Sequence, residues 1–232
     1  MKANEMSVKQ LASYMDYSIL KPEYTEADII EKTKIGVALG VAQICVHPTY
    51  IELIEPYVQD TQTKIGPTAD FPFGNSTTAM RVQQIEEVCS YPNIGEVDIV
   101  CNFGLLRSGQ YDKVTKDLKA CADKAHEMGH ALKVILETDA LTKEEIIAGC
   151  HCVMDAGCDY VKTSTGFFTG HTLEGASNEV IDLIMKEVQG RIKVKGSGVI
   201  RTHAHYLELI DRGVDRLGIN CTSAKRVLGL EE

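Results

Sequence analysis

Lys162 interrupts an apolar run in DYVKTSTGFFTG (159–170), and the run then breaks into hydroxyls and glycines. Lysine is among the residues least often buried without a partner. Similar interruptions occur at Lys195 in IKVKGS (192–197), Lys133 in LKVILET (132–138) and Asp98 in EVDIVC (96–101), while Asp16 stands just before YSIL (17–20). The chemistry open to such a set is that of an amine nucleophile, which attacks a carbonyl and forms a Schiff base once it is uncharged. A free lysine has a pKa near ~10.4, and both burial and a second nearby cation lower it. Lys162 and Lys195, on neighbouring inferred strands, supply both effects. Asp98 can hold a water or take part in a proton relay. The TSTG segment offers hydroxyls and backbone N–H groups to a hydroxylated or anionic ligand. A buried ion-pair network without a chemical role is the competing explanation. It is disfavoured because packed apolar groups often replace buried ion pairs at no loss of stability.

These side chains converge only if their strands are neighbours. Strand candidates are YSIL (17–20), AQICVH (42–47), IGPTAD (65–70), EVDIVC (96–101), LKVILET (132–138), YVKTST (160–165), IKVKGS (192–197) and RLGIN (216–220). Several are nearly all apolar, as parallel strands covered on both faces are. Helical patterns lie between them, over 26–39 after Thr25 as N-cap, 76–91, 111–128, 179–189 and 203–212. Thr142 and Glu145 form a capping box ahead of another. Gly129, Gly157, Gly190 and Gly213 sit just past helix ends. The alternation predicts a (β/α)8 barrel, a TIM barrel, whose catalytic groups come from the C-terminal ends of its strands. An open doubly wound sheet is the alternative. No GxGxxG follows the first strand, which disfavours a dinucleotide-binding domain.

The chain of 232 residues is read as one barrel domain over 1–232, with 44% hydrophobic and 25% charged residues. A net charge of −9 speaks against nucleic acid or an anionic membrane as partner, though not against a small phosphorylated substrate. There is no apolar run of about 18 residues and no apolar signal core near the start, so a cytoplasmic location is expected. The eight cysteines include no CxxC pair, and Cys150-His151-Cys152 is the one cluster. Free thiols in a reducing compartment are expected.

VKTSTGF, KGSGVIRT, EVDIV and LKVILET together resemble the deoxyribose-phosphate aldolase family. MDYSILKP (15–22), ICVHPTYI (44–51), DFPFGNSTTAMR (70–81) and NFGLLRSGQYDKV (102–114) extend the likeness, in order and spacing, over most of the chain. The resemblance implies a (β/α)8 barrel with no metal or organic cofactor. It implies Lys162 as Schiff-base nucleophile, Lys195 as the lysine that perturbs it, and Asp98 as proton-relay acid. Asp16 matches the partner of the second lysine, Lys133 a lysine on the fifth strand, and Thr165 a threonine near the substrate. The implied reaction is reversible cleavage of 2-deoxyribose 5-phosphate to acetaldehyde and glyceraldehyde 3-phosphate. The implied partners are a sugar phosphate, aldehydes and further copies of the chain, as dimer or tetramer. Gly166, Gly198 and Asn220 fall where the family holds the substrate phosphate.

Two positions depart from the pattern there. Val199 stands where the family has a second glycine, and a β-branched residue resists a positive φ and obstructs close approach. Asn220 stands where a phosphate-binding serine is expected, with Thr222, Ser223 and Lys225 nearby as replacement donors. A non-phosphorylated or differently substituted sugar is therefore an alternative substrate. Two further alternatives are a metal-dependent enzyme using His47, Asp98 and Glu137, and a sugar-binding barrel without turnover. Both leave Lys162 unexplained. His171 and His203 are expected to be surface residues.

Overall fold

The structure is a computed structural model and describes residues 2–170 and 173–231. His171 lies outside the described residues. The strands are β1 (Met15–Ser18), β2 (Gln43–Val46), β3 (Lys64–Ala69), β4 (Val97–Val100), β5 (Leu132–Ile135), β6 (Tyr160–Lys162), β7 (Lys193–Ser197) and β8 (Arg216–Asn220). They pair in parallel in sequence order, and β8 returns to β1, closing an eight-stranded barrel. Helices connect successive strands, so the expected (β/α)8 barrel is the observed fold and the open sheet is excluded.

Local chemistry explains why the connecting segments turn helical. Thr25 accepts from the Asp28 N–H while the Asp28 carboxylate reaches back to Thr25, opening helix Glu26–Leu39. Thr142 and Glu145 do the same for Lys143–Asp155. Each such cap contributes about 1 kcal/mol. The helices then bury one face against the outside of the barrel, where Ile29, Ile44, Ile54, Ile85, Leu118 and Ile184 are wholly covered. Each aliphatic side chain so covered stabilises the fold by roughly 1.5–3 kcal/mol over an exposed one.

Strand limits differ from the sequence pattern at two places that matter. β1 starts at Met15, so Asp16 lies inside the strand rather than ahead of it. A buried carboxylate looks like a boundary in a hydropathy pattern, yet here its partners are supplied from across the barrel. β5 and β6 end early, at Ile135 and Lys162. Their continuations stay tied together, with Leu136 N–H donating to the Lys162 carbonyl at 2.9 Å and Thr138 N–H to the Thr163 carbonyl at 3.1 Å.

All eight cysteines are free thiols. Burial pushes Cys45 up to about 11 and Cys101 up to about 12, so neither is a nucleophile at neutral pH. No helix among the described residues is long and apolar enough to cross a membrane.

Candidate active site

Strand alternation sends every second side chain into the barrel. Asp16, Lys133 and Lys195 are wholly buried there, and Asp98 and Lys162 nearly so. Lys162 Nζ donates to Asp98 Oδ2 at 2.5 Å. Lys195 Nζ donates to the same oxygen at 2.7 Å and also to Asp16 Oδ2. Lys133 Nζ lies 3.0 Å from Asp16 Oδ2 and 3.4 Å from Asp98 Oδ1. Gly218 on β8 makes room for this: a Cβ there would stand 2.8 Å from the Ser197 Cβ and 3.4 Å from the Lys195 Cε.

Beneath this layer lies a second one that the sequence reading missed. Glu96 receives Lys133 at 2.8 Å, the Tyr160 hydroxyl at 2.8 Å and Arg216 at 3.3 Å. The Gln43 amide bridges Asp16 Oδ1 and Glu96 Oε2, each at 3.0 Å. One signal was present: Glu96 precedes Asp98 by two residues, so the two share a strand face. Gln43 and Arg216 carry no such mark, since their places depend on pairing between distant strands.

Charge counting across both layers bears on Lys162. Lys133, Lys195 and Arg216 balance Asp16, Glu96 and Asp98 one for one. A protonated Lys162 would add an uncompensated buried cation. Burial accordingly lowers the Lys162 pKa, with Lys195 adding to the effect and the contact with Asp98 opposing it. Burial works the same way on Lys195, but Asp16 and Asp98 outweigh it and hold Lys195 well above its usual range. Lys133 is likewise raised against the effect of burial by Asp16, Asp98 and Glu96. For Asp98, burial favours the neutral acid, and the surrounding lysines reverse this and hold it far below the usual carboxylate range.

A cavity of about 240 Å³ opens above the C-terminal ends of β6, β7 and β8. Of Lys133, Lys162 and Lys195, only Lys162 lines it. Thr165, Gly166, Gly198 and Asn220 also line it, so these expected site residues are gathered on one wall and rim. Asn220 turns its side-chain oxygen into its own loop, accepting from the Thr222 N–H at 3.0 Å and the Thr222 hydroxyl at 2.8 Å. Val199 takes the positive φ that a β-branched residue resists. It adopts φ 59 at the cavity rim, held between Gly198 and buried Ile200. Gly175 packs against the Gly198 carbonyl so closely that a Cβ would collide with it, and Ala176 N–H donates to that oxygen at 3.1 Å. This support from the preceding loop holds the backbone path.

The alternative metal set does not assemble. His47 Nε2 contacts the Leu20 carbonyl at 2.9 Å, Glu137 binds Thr165, and Asp98 binds lysines. Among the described residues, the gathered ligand types are instead Asp16, Cys45 and Asp98, and both acids there are committed to lysines. His203 is half-buried rather than a surface residue, its ring bound to the Val227 carbonyl at 2.7 Å, and it does not line the cavity.

No family model matches the chain. A deoxyribose-phosphate aldolase of Thermococcus gammatolerans is 37% identical over 210 residues, which cover 90% of this chain and 91% of that protein. One of Streptococcus sanguinis is 37% identical, covering 90% and 92%. The chain belongs to the deoxyribose-phosphate aldolase family. A solved aldolase structure, QR15, agrees with a TM-score of 0.83 at 32% identity, covering 95% of this chain and 99% of that one. The buried lysines and acids of this family member are thus set in a barrel shared with other aldolases.

Proposed function

We propose that this chain is a class I, Schiff-base aldolase. It cleaves 2-deoxy-D-ribose 5-phosphate reversibly to D-glyceraldehyde 3-phosphate and acetaldehyde. One observation carries the reading: of the three buried lysines in the network, the one that meets the cavity is also the one whose charge its surroundings disfavour. The Lys162 amine attacks C1 of the open-chain aldehyde, and loss of water leaves an iminium. Acetaldehyde retains C1 and C2, so the bond that breaks is C2–C3. Its electron pair flows into the iminium as the C3 hydroxyl gives up its proton and becomes the aldehyde of the other product. The resulting enamine takes a proton at C2 through Asp98, Lys195 and water, and hydrolysis returns the free amine. Burial and the charge on Lys195 keep Lys162 neutral, Asp16, itself bound by Lys133, holds Lys195 in place, and Thr165 contacts the sugar. Gly166, Gly198 and Asn220 surround its phosphate.

Borohydride trapping tests the covalent step: reduction in the presence of acetaldehyde adds the two-carbon unit to Lys162, and a protein that remains unlabelled removes the proposal. A second reading, cleavage of an unphosphorylated sugar, is favoured by the Val199 side chain at the rim and by the commitment of Asn220 to Thr222. Turnover of 2-deoxyribose 5-phosphate beside 2-deoxyribose decides it, since equal or reversed preference establishes the second reading. The same proposal includes a reducing, cytoplasmic setting, supported by the free thiols, and a homo-oligomer, which light scattering measures directly.

A further inference from the structure

Glu137 lies at the end of β5, takes no part in the lysine network and does not line the cavity. It is 2% exposed, and it turns the chain through φ 60 and ψ 61, a left-handed conformation that glutamate seldom takes. Backbone outliers of this kind gather at functional sites, where the surrounding structure over-determines them. Among the described residues, the Glu137 carboxylate is held by Thr165. Thr165 N–H donates to Oε1 at 3.1 Å, and the Thr165 hydroxyl donates to Oε2.

The hydroxyl of Thr165 also accepts from the Phe167 N–H at 3.0 Å. A threonine hydroxyl has one proton and two lone pairs. Its proton is committed to Glu137 and one lone pair to Phe167. What remains, on a residue that lines the cavity, is one lone pair, able to accept and unable to donate. We infer that Glu137 is a positioning residue which fixes the Thr165 hydroxyl as an acceptor, so that this wall of the cavity recognises a substrate O–H.

This rests on the aldolase reading and adds to it. Phosphate oxygens need donors, so the arrangement places Thr165 at the hydroxyl-bearing part of the sugar and away from its anionic end. Burial raises the Glu137 pKa, the Thr165 bonds oppose the rise, and Asp139 adds to it. The two Thr165 bonds are what favour the carboxylate form that accepts the hydroxyl proton.

The test is a double-mutant cycle of Glu137→Gln, Thr165→Val and the pair together, with two readouts. One is kcat/KM for 2-deoxyribose 5-phosphate. The other is borohydride trapping of acetaldehyde, which bears no hydroxyl. Each single variant is expected to lose about tenfold or more in kcat/KM, the scale of one hydrogen bond in a dry site. The double variant is expected to match Thr165→Val, and acetaldehyde trapping to fall at least fivefold less than sugar turnover, as an order-of-magnitude margin. Thr165→Ser keeps the hydroxyl and is expected to stay sensitive to Glu137→Gln. Losses that multiply, trapping that falls in step with turnover, or a Thr165→Ser enzyme indifferent to Glu137→Gln would each overturn the inference. If the unmodified protein turns over the sugar and the losses multiply, this inference alone fails. If the unmodified protein neither traps acetaldehyde nor cleaves the sugar, the aldolase reading fails and takes this inference with it.

Discussion

The floor of the cavity and its rim are built differently. The floor is the tip of Lys162 resting on a network of side chains from β1, β4, β5 and β7, each buried and hydrogen-bonded or ion-paired to another. The rim is made largely of backbone in left-handed turns, at Gly166 (φ 83), Gly198 (φ 87) and Val199 (φ 59). On the floor, removal of one group leaves another charge stranded in a dry interior, which costs about 3–5 kcal/mol. At the rim, a side chain can be exchanged while the backbone path is kept, as Val199 shows. In the proposed function, reactivity is therefore tied to a network that resists change, and recognition of the far end of the substrate to loops that accept it.

Substitutions at the two places sharpen this contrast. Lys162→Ala is expected to have the largest effect, abolishing borohydride trapping and lowering turnover on the order of 10⁴-fold or more. Trapping that persists would move the nucleophile elsewhere. Asp98→Leu comes next, with sugar turnover reduced about 10²- to 10⁴-fold and imine formation reduced less. Equal losses in both would mean that Asp98 only aligns Lys162.

Lys195→Leu tests the electrostatic role of the floor. The Lys195 cation disfavours the protonated form of Lys162, so its removal raises the Lys162 pKa. The amine fraction at neutral pH then falls, the acid limb of the pH–rate profile moves to higher pH, and turnover at pH 7 drops roughly 10- to 100-fold. An unshifted profile would break the link between Lys195 and reactivity. Val199→Gly should have the smallest effect. Relief of a left-handed β-branched residue outweighs the extra chain entropy of glycine and raises stability by about 1 kcal/mol in denaturant unfolding. Its effect on the preference for phosphorylated over unphosphorylated sugar reads the rim alone. A Val199→Gly enzyme that loses imine formation would show that floor and rim are not separable.

Periodicity and local signals carried much of the fold. The 26–39 helix and both caps at Thr25 and Thr142 were legible because capping chemistry acts over three residues of chain. The strands were legible as apolar runs because both of their faces are covered. Lys162, Lys195, Asp98 and Lys133 were visible as charges inside such runs. Asp16 was misplaced by a residue or two, and Gln43, Arg216 and Tyr160 were not seen as site residues. Nothing in AQICVH or RLGIN distinguishes a glutamine or arginine that spans the barrel from one that faces water.

The sequence by itself determined which groups are available and that Lys162 must be buried, because strand alternation and hydrophobic cover are short-range properties. Only the tertiary structure decided which lysine meets the cavity, which charges cancel, and that Glu137 reserves the proton of Thr165. Those outcomes depend on barrel closure, which sets β1 beside β8 and places Asp16 against Lys195, 179 positions apart in the chain. A pKa follows from distance and burial in three dimensions, and no local pattern along the chain encodes either across such a separation.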